Sequence, residues 1–273
     1  MLNELWNRAR GQSGVSTAKA RRDARRFYFY ISPWLFGFLV LTLYPILHSF
    51  WLMFTNTTLA GVGEFVGFSN WHYALQEDTR FLVTFKNTLY YVAMFVPASL
   101  ILSFVVALML NQRVKFLGIF RTVFYLPYIT AGVAVTILWG WIFNADFGLL
   151  NYTLSLIGIE GPDWLGDPNW AMISIVILSL WTIGNNIIIM LAGIQDIPQT
   201  LYESAEIDGA SKFKCIFKIT IPLATPTIFF NLVLTTIGAF QLFTQPYVLT
   251  DGGPLNATRT VVMLLFTNAF QYG

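Results

Sequence analysis

Five side-chain amides lie in or beside long apolar stretches, and their chemistry suits a neutral, hydroxyl-rich ligand. An amide both donates and accepts hydrogen bonds, so it can pair with the hydroxyl groups of a polyol. Aromatic residues nearby could stack on the faces of a sugar ring. The same amides could instead bond one helix to another within a bundle. The candidate substrate-path residues are Asn185, Asn186, Asn231, Phe240, Gln241, Phe243, Gln245 and Trp139.

Ionisable residues are missing from the interior of these apolar stretches, which contain no deeply placed Asp, Glu, Lys or Arg. Charge in lipid is costly and is kept for a task, so this argues against ion coupling and against a charged substrate held by a buried counter-ion. His48 alone cannot supply the acid, base and nucleophile of an active site. The single cysteine, Cys215, excludes a multi-cysteine metal site. We therefore expect no catalytic residue, no metal site and no cofactor bound by this chain.

The composition places most of the protein surface in contact with lipid. Hydrophobic residues make up 56% of the 273 residues and charged residues 11%, whereas soluble domains have about 25% charged residues. A sixth apolar run begins at Thr260 but has only 14 residues up to Gly273, too few to cross a bilayer core of about 30 Å, and we expect the chain to be truncated there. The sequence predicts an all-α, polytopic membrane helical bundle with spans at 31–54, 87–110, 122–143, 170–191 and 224–248.

The distribution of basic residues predicts the orientation of the chain. Thirteen of the 16 Lys and Arg residues lie on one side of these spans, in the tail and in the segments after the second and fourth spans. Because basic loops stay in the cytoplasm, we expect a cytoplasmic N-terminus. The predicted organisation is a cytoplasmic tail over residues 1–30 and a transmembrane domain over 31–273.

The longest charged segment between spans, residues 196–222, has the pattern of two short helices joined at a glycine. Thr200 and Glu203 fit a capping box, which predicts a helix beginning at Leu201. Gly209 is placed to end that helix in a left-handed conformation. Ser211 can cap a second helix, which we expect to end before Pro222. The segment would then project from the membrane as a compact knob.

This segment resembles the EAA loop of permease subunits of binding-protein-dependent ABC importers, in which E-A-A, three residues, Gly and nine residues precede I-x-L-P. The sequence here has Glu203-Ser204-Ala205, then Gly209, then Ile219 to Pro222. Ser in place of Ala and Ile221 in place of Leu are mild departures. The carbohydrate branch, of the maltose and glycerol-phosphate type, is similar in four stretches: LYESAEIDGASKFKCIFKITIPL, YPILHSFWLMFTN, FVGFSNWHYAL and VLTDGGPLNATRT.

The resemblance implies a fold with six core helices, the sixth incomplete here, in the cytoplasmic (inner) membrane. It also implies that the 196–222 loop is a coupling helix seated in a cleft of a cytoplasmic ATPase subunit. Glu203 would contact a basic group of the ATPase, and Ala205 and Gly209 would allow close approach. The coupling residues implied are Glu203, Ser204, Ala205, Asp208, Gly209 and Ala210.

The partners implied by the resemblance are a second homologous permease, two ATPase subunits that bind ATP and Mg, and an extracytoplasmic solute-binding protein. The binding protein would dock on the outer loops 55–84, 144–169 and 250–258 and deliver a sugar or oligosaccharide. No nucleic-acid partner is expected. Because the sequence contains no G-x-x-x-x-G-K-[ST] motif, this chain is not itself the ATPase, and we expect a transport subunit rather than an enzyme.

Three alternatives stay open at the level of sequence. A permease of the same superfamily could carry a polyamine or a sugar phosphate; the lack of membrane charge disfavours this, although a partner subunit could bind the charged group. An ion-coupled secondary carrier would need buried acids or bases and has no use for the E-S-A-x-x-x-G segment. A membrane-embedded enzyme would need a converging set of reactive groups that the spans lack.

Overall fold

A computed structural model describes residues 17–56, 61, 63–112, 116–130 and 132–271. The described residues are mainly helical, and one isolated antiparallel bridge pairs Thr55 with Phe65. Two basic residues of the predicted cytoplasmic turn, Arg113 and Lys115, lie outside the described residues, as does the tail up to residue 16. The chain divides into two compact units, Met1–Tyr73 and Ala74–Gly273.

The first unit contains one long helical run. It consists of α1 (Thr17–Gly37), a π-helical segment (Phe38–Leu43) and α2 (Tyr44–Leu52), and α3 (Ser69–His72) follows. The predicted tail boundary at residue 30 falls inside α1. No side chain between Arg21 and Leu52 is buried within the protein. An apolar helix without a buried face is expected where lipid or another chain surrounds it.

The second unit is built around α4 (Thr79–Leu110), which begins eight residues before the predicted span. Asp78 caps it by accepting a hydrogen bond from the backbone N–H of Arg80 at 2.9 Å. A π-helical segment (Tyr73–Glu77) precedes α4. The elements after α4 are α5 (Leu117–Ile129), α6 (Gly132–Ile142), α7 (Leu149–Ser155), α8 (Pro168–Trp181), α9 (Gly184–Gln195), α10 (Gln199–Ile207), α11 (Lys212–Cys215), a π-helical segment (Ile216–Thr220), α12 (Ile221–Phe240), α13 (Thr244–Thr250) and α14 (Val261–Phe270).

Helix α4 lies at the centre of this unit and packs against α8, α9, α12 and α14. The buried face of α4 includes Ser99, Ser103 and Ala107, each with no exposed surface. Small residues at such positions let helix backbones approach closely in a membrane, where lipid supplies no hydrophobic force between helices. The ten-residue α14 confirms that the apolar run after Thr260 is helical; Thr260 Oγ1 caps it by accepting from the N–H of Met263.

Two of the predicted spans, 122–143 and 170–191, are each formed by two helices with a break between them. The chain is extended at Thr130 between α5 and α6, and α8 and α9 meet at a bend of 49°. At this bend both the N–H and the hydroxyl of Thr182 bond to the carbonyl of Ser179. These local bonds replace the regular helical pattern. By length and composition three helices could cross a membrane, or five if each bent pair is one span.

Close packing of α5 on α9 depends on Gly184. A Cβ at this buried position would lie 2.5 Å from the backbone oxygen of Phe124 and 2.9 Å from the Cα of Tyr125. Because backbone atoms cannot rotate away, we expect Gly184→Ala to lower the free energy of unfolding by about 1–3 kcal/mol, the usual cost of overpacking. Thermal unfolding in detergent measures this. The matched control is Gly118→Ala in α5, where no atom lies within 4 Å of the added Cβ; equal stability of the two variants would contradict the prediction.

Candidate functional site

A cavity of about 480 Å³ opens beside the bend between α8 and α9 and beside the break between α12 and α13. Five of the predicted substrate-path residues lie in its wall: Asn185, Asn186, Gln241, Phe243 and Gln245. None of the residues described in this wall is Asp, Glu, Lys, Arg or His. The two interruptions explain why amides gather here. Each interruption ends a helix, and the side chains next to it line the same cavity.

Neighbouring amides in this wall have different environments. The Nδ2 group of Asn186 donates to Ser99 Oγ at 3.0 Å and to Thr235 Oγ1 at 2.9 Å, which ties α9 to α4 and α12. The side chains of Asn185, Gln241 and Gln245 form no hydrogen bond with any residue that the structure describes. Asn186 therefore joins helices, and the other three amides are available to a ligand.

Three predicted substrate-path residues lie outside the cavity wall. Asn231 is fully buried, and its Nδ2 donates to the backbone oxygen of Asn186 at 3.0 Å, so it bonds α12 to α9. Trp139 lines a separate apolar cavity of about 360 Å³ together with Trp181. Phe240 is 41% exposed and is not part of the cavity wall. These positions share the residue types of the cavity wall but face other directions on their helices.

Neighbouring aromatic rings support Phe243 in the wall of the cavity. Phe243 stacks on Tyr247 with ring centroids 5.0 Å apart, and Phe266 of α14 contacts both rings at 5.1 and 5.6 Å. Stacked and edge-on rings hold each other in place. Phe243 therefore presents a rigid apolar face toward the unpaired amides, an arrangement that suits a ligand with one apolar and one hydroxylated side.

Residues missed by sequence reasoning complete the cavity wall. They are hydroxyl-bearing and apolar side chains on helices that also pack the core: Tyr91, Phe95, Tyr128, Ser179, Thr182, Ile183, Leu234, Thr235, Gly238, Leu242 and Thr244. Serine, threonine and tyrosine are frequent in membrane helices as packing residues, so the sequence carries no signal that separates these from the rest.

The 196–222 segment forms the glycine elbow that was predicted. Gly209 has φ +71°, and its N–H donates to the carbonyl of Glu206 while the N–H of Ala210 donates to that of Ala205. These two bonds are the Schellman motif, which favours glycine because of the left-handed backbone. Ser211 caps the following helix through Oγ, which accepts from the N–H of Lys214 at 3.3 Å.

Two details of this segment differ from prediction. Helix α10 begins at Gln199, after Pro198, and no side chain caps it, so the predicted capping box of Thr200 and Glu203 lies inside the helix and was wrong. The second helix does not end before Pro222. It continues from Lys212 through the π-helical segment into α12, because Pro222 occupies the first turn of α12, where its missing N–H does not disturb the helix. The elbow is therefore joined directly to a membrane helix.

The loop between α13 and α14 is held rigidly against α4. Asn87 Nδ2 donates to the backbone oxygens of Asn256 and Arg259 at 2.6 and 3.0 Å. Thr258 is fully buried, and its hydroxyl bonds to the carbonyl of Gly253 at 2.7 Å. At the tip, Leu255 is 87% exposed. The loop thus presents an apolar side chain on a fixed support.

Residues 87–270 match the family described as "Binding-protein-dependent transport system inner membrane component". The chain belongs to this family. It is accordingly a membrane transport subunit, and the ATPase of such a system is a separate subunit.

Relatives within this family are similar over almost the whole chain. A probable ABC transporter permease protein, YesP of Bacillus subtilis, is 39% identical over 92% of this chain and 82% of its own length. The trehalose/maltose transport system permease protein MalF of Thermococcus litoralis is 36% identical over 92% and 86%. The lactose transport system permease protein LacF of Rhizobium radiobacter is 34% identical over 93% and 89%.

The fold is that of known ABC importers. A chain of a bacterial alginate ABC transporter, solved in complex with a periplasmic protein that binds an alginate pentasaccharide, superposes with a TM-score of 0.78. The match covers 94% of this chain and 87% of that one at 24% sequence identity. This confirms the predicted all-α permease fold.

Proposed function

We propose that this chain is a permease subunit of an ATP-driven importer and forms half of the membrane pathway for a neutral sugar or oligosaccharide. The observation that carries the proposal is the cavity between α4, α8, α9 and α12, with unpaired amides, a rigid aromatic face and no charged residue in its described wall. Hydroxyl groups can pair with the amides, and the apolar face of a sugar ring can lie on Phe243.

The names of several relatives support a saccharide substrate. They include the trehalose/maltose and lactose permeases above and an arabinooligosaccharide permease, AraP of Bacillus subtilis, which is 33% identical over 90% of this chain. The alginate transporter carries an acidic polysaccharide. An acidic sugar or a sugar phosphate would bring an anion into a wall that offers no cation, and this favours a neutral substrate here.

The partners follow from the same proposal. The 196–222 segment docks on a cytoplasmic ATPase through Glu203, Ser204, Ala205, Asp208, Gly209 and Ala210, and two such ATPases bind the ATP and Mg. A second homologous permease completes the pathway, and an extracytoplasmic binding protein docks on the outer loops, including the rigid loop that carries Leu255. This arrangement places the N-terminus in the cytoplasm, consistent with the basic residues of the tail and of the 196–222 segment.

Two phenylalanines three residues apart provide a test of the substrate site. We expect Phe243→Ala to raise the KM for uptake of a neutral oligosaccharide by roughly twofold to tenfold, if stacking on the ring contributes about 0.5–1.5 kcal/mol, as aromatic pairs do. Phe240→Ala is the matched control, because Phe240 lies outside the cavity, and we expect it to leave KM unchanged. Uptake is measured in proteoliposomes that contain the complete importer.

The same assay tests the charge of the substrate. We expect a neutral oligosaccharide to be taken up and a uronate of equal length to be excluded. Uptake of the uronate alone, or a larger effect of Phe240→Ala than of Phe243→Ala, would overturn the proposed site.

A further inference from the structure

The exposed helix α10 has one side-chain hydrogen bond to the rest of the protein among the described residues. None of its residues is buried, and Ile207 at its end is 88% exposed. Tyr202 and Ala205, one turn apart, are half-buried and form the face turned toward the protein. The hydroxyl of Tyr202 lies 2.9 Å from Thr220 Oγ1. The contact between Tyr202 and Thr220 is therefore the one polar side-chain link that the structure describes between this helix and the rest of the protein.

Thr220 lies at a special place in the chain. It is the last residue of the π-helical segment Ile216–Thr220, directly before α12, and it is only 2% exposed. Its Oγ1 also lies 3.5 Å from the carbonyl of Cys215, at the start of that segment. A π-helical turn inside an α-helix is a local irregularity that is frequent at functional sites. The Tyr202 bond therefore ends at the base of a membrane helix, where the regular backbone ladder is interrupted.

We propose that Tyr202 is a positioning residue that links the movement of α10 to the membrane helix α12 through Thr220. The inference rests on the proposed function, in which α10 is the element that the ATPase moves. Helix α12 runs unbroken over 20 residues from Ile221 to Phe240, about 30 Å at 1.5 Å per residue. Its far half carries Leu234, Thr235 and Gly238 in the cavity wall. Pro226 lies inside this helix, but the helix continues through it. A displacement received at Thr220 is thus passed along one continuous helix to the substrate cavity.

The covalent connection between α10 and α11 is a turn, so a second connection is needed to fix the angle between α10 and α12. Between α10 and α11 the chain passes through Gly209 in a left-handed conformation, with open space around its Cα. Such an elbow alone allows α10 to pivot relative to α11. The Tyr202–Thr220 bond joins residues 18 positions apart and forms a second connection between α10 and the start of α12. With both connections in place, α10 and the base of α12 move as one body.

The test uses the assembled importer and compares Tyr202→Phe, Thr220→Val and the double variant. Tyr202→Phe keeps the ring and removes the hydroxyl. We expect it to lower the number of substrate molecules transported per ATP hydrolysed by roughly fivefold, the factor that the loss of one net hydrogen bond corresponds to. Thr220→Ser keeps a hydroxyl, so we expect this variant to retain most of the wild-type number of substrate molecules transported per ATP. Tyr90→Phe on α4, where Tyr90 is 47% exposed, controls for the loss of a tyrosine hydroxyl.

Non-additive losses in the number of substrate molecules transported per ATP distinguish this link from two independent structural effects. If the hydroxyls act through each other, the double variant loses no more than Thr220→Val alone, which also removes the contact with Cys215. Full additivity of the two losses, or a wild-type transport ratio for Tyr202→Phe, would overturn the inference. The Gly209→Pro variant separates it from the proposed function: if Gly209→Pro uncouples the importer and Tyr202→Phe does not, only the link fails. If neither variant changes the ratio, the coupling role of α10 fails as well.

Discussion

Replacement of Gly209 by proline is expected to abolish the stimulation of ATP hydrolysis by the loaded binding protein. Proline fixes φ near −65°, whereas Gly209 has φ +71° and donates its N–H to the carbonyl of Glu206. The variant can keep neither the left-handed turn nor this bond, so α10 leaves its position. We expect stimulated hydrolysis to fall by at least about tenfold, because proline can adopt neither the positive φ nor the N–H hydrogen bond of this turn. The assay is ATP hydrolysis by the reconstituted importer with and without the loaded binding protein.

The control for this experiment is Gly209→Asn, since asparagine tolerates the left-handed conformation and keeps the N–H. No atom lies within 4 Å of a Cβ at this position, so the added side chain meets no neighbour. We expect Gly209→Asn to retain most of the stimulation. Co-purification of the ATPase with each variant shows whether assembly is intact. Normal stimulation of an assembled Gly209→Pro complex would mean that the 196–222 segment is an ordinary surface loop.

The second large effect concerns Asn185 and Asn186, which we expect to respond differently to substitution by alanine. Asn186→Ala removes both hydrogen bonds that tie α9 to Ser99 and Thr235. Hydrogen bonds between membrane helices contribute about 0.6 kcal/mol each, with a maximum near 1.7, so we expect a loss of about 1–3 kcal/mol in the free energy of unfolding. Thermal unfolding of the purified complex in detergent measures this loss.

Asn185→Ala is expected to leave the stability within about 0.5 kcal/mol of wild type, as substitutions without a structural partner do. Its amide lies in the cavity wall and has no partner among the described residues. Loss of one or two bonds to the substrate should raise the KM for uptake by roughly fivefold to tenfold. The contradicting result is the reverse pattern, in which Asn185→Ala unfolds early and Asn186→Ala changes only KM.

The general architecture could be predicted from the sequence because it depends on long-range composition. Apolar stretches of about 20 residues are a strong signal of membrane-spanning helices. The interruption at Thr182 was not predictable in the same way, since a continuous apolar run does not reveal where the backbone leaves the helical pattern. The elbow at Gly209 was predictable because a left-handed residue has a narrow choice of types. The start of α10 was missed because Pro198 precedes it and no side chain caps it.

The candidate site was predictable by residue type and only in part by position. Amides in membrane helices are rare enough to stand out, and Asn185, Gln241 and Gln245 do meet in one cavity. Whether a given amide faces the cavity or a neighbouring helix depends on the rotation of each helix about its axis. Asn231 and Trp139 show this dependence, since both face neighbouring helices or a separate cavity. The bends that set these rotations come from the three-dimensional packing.

The uncharged cavity wall has a consequence for the energy source of transport. Moving one elementary charge across 100 mV corresponds to about 2.3 kcal/mol. A neutral cargo that passes a wall without Asp, Glu, Lys, Arg or His among its described residues moves no charge through the field. The membrane voltage then neither drives nor opposes the passage of that cargo. Under the proposed function, the work of concentrating the solute then comes from ATP, through the contact of the ATPase with α10.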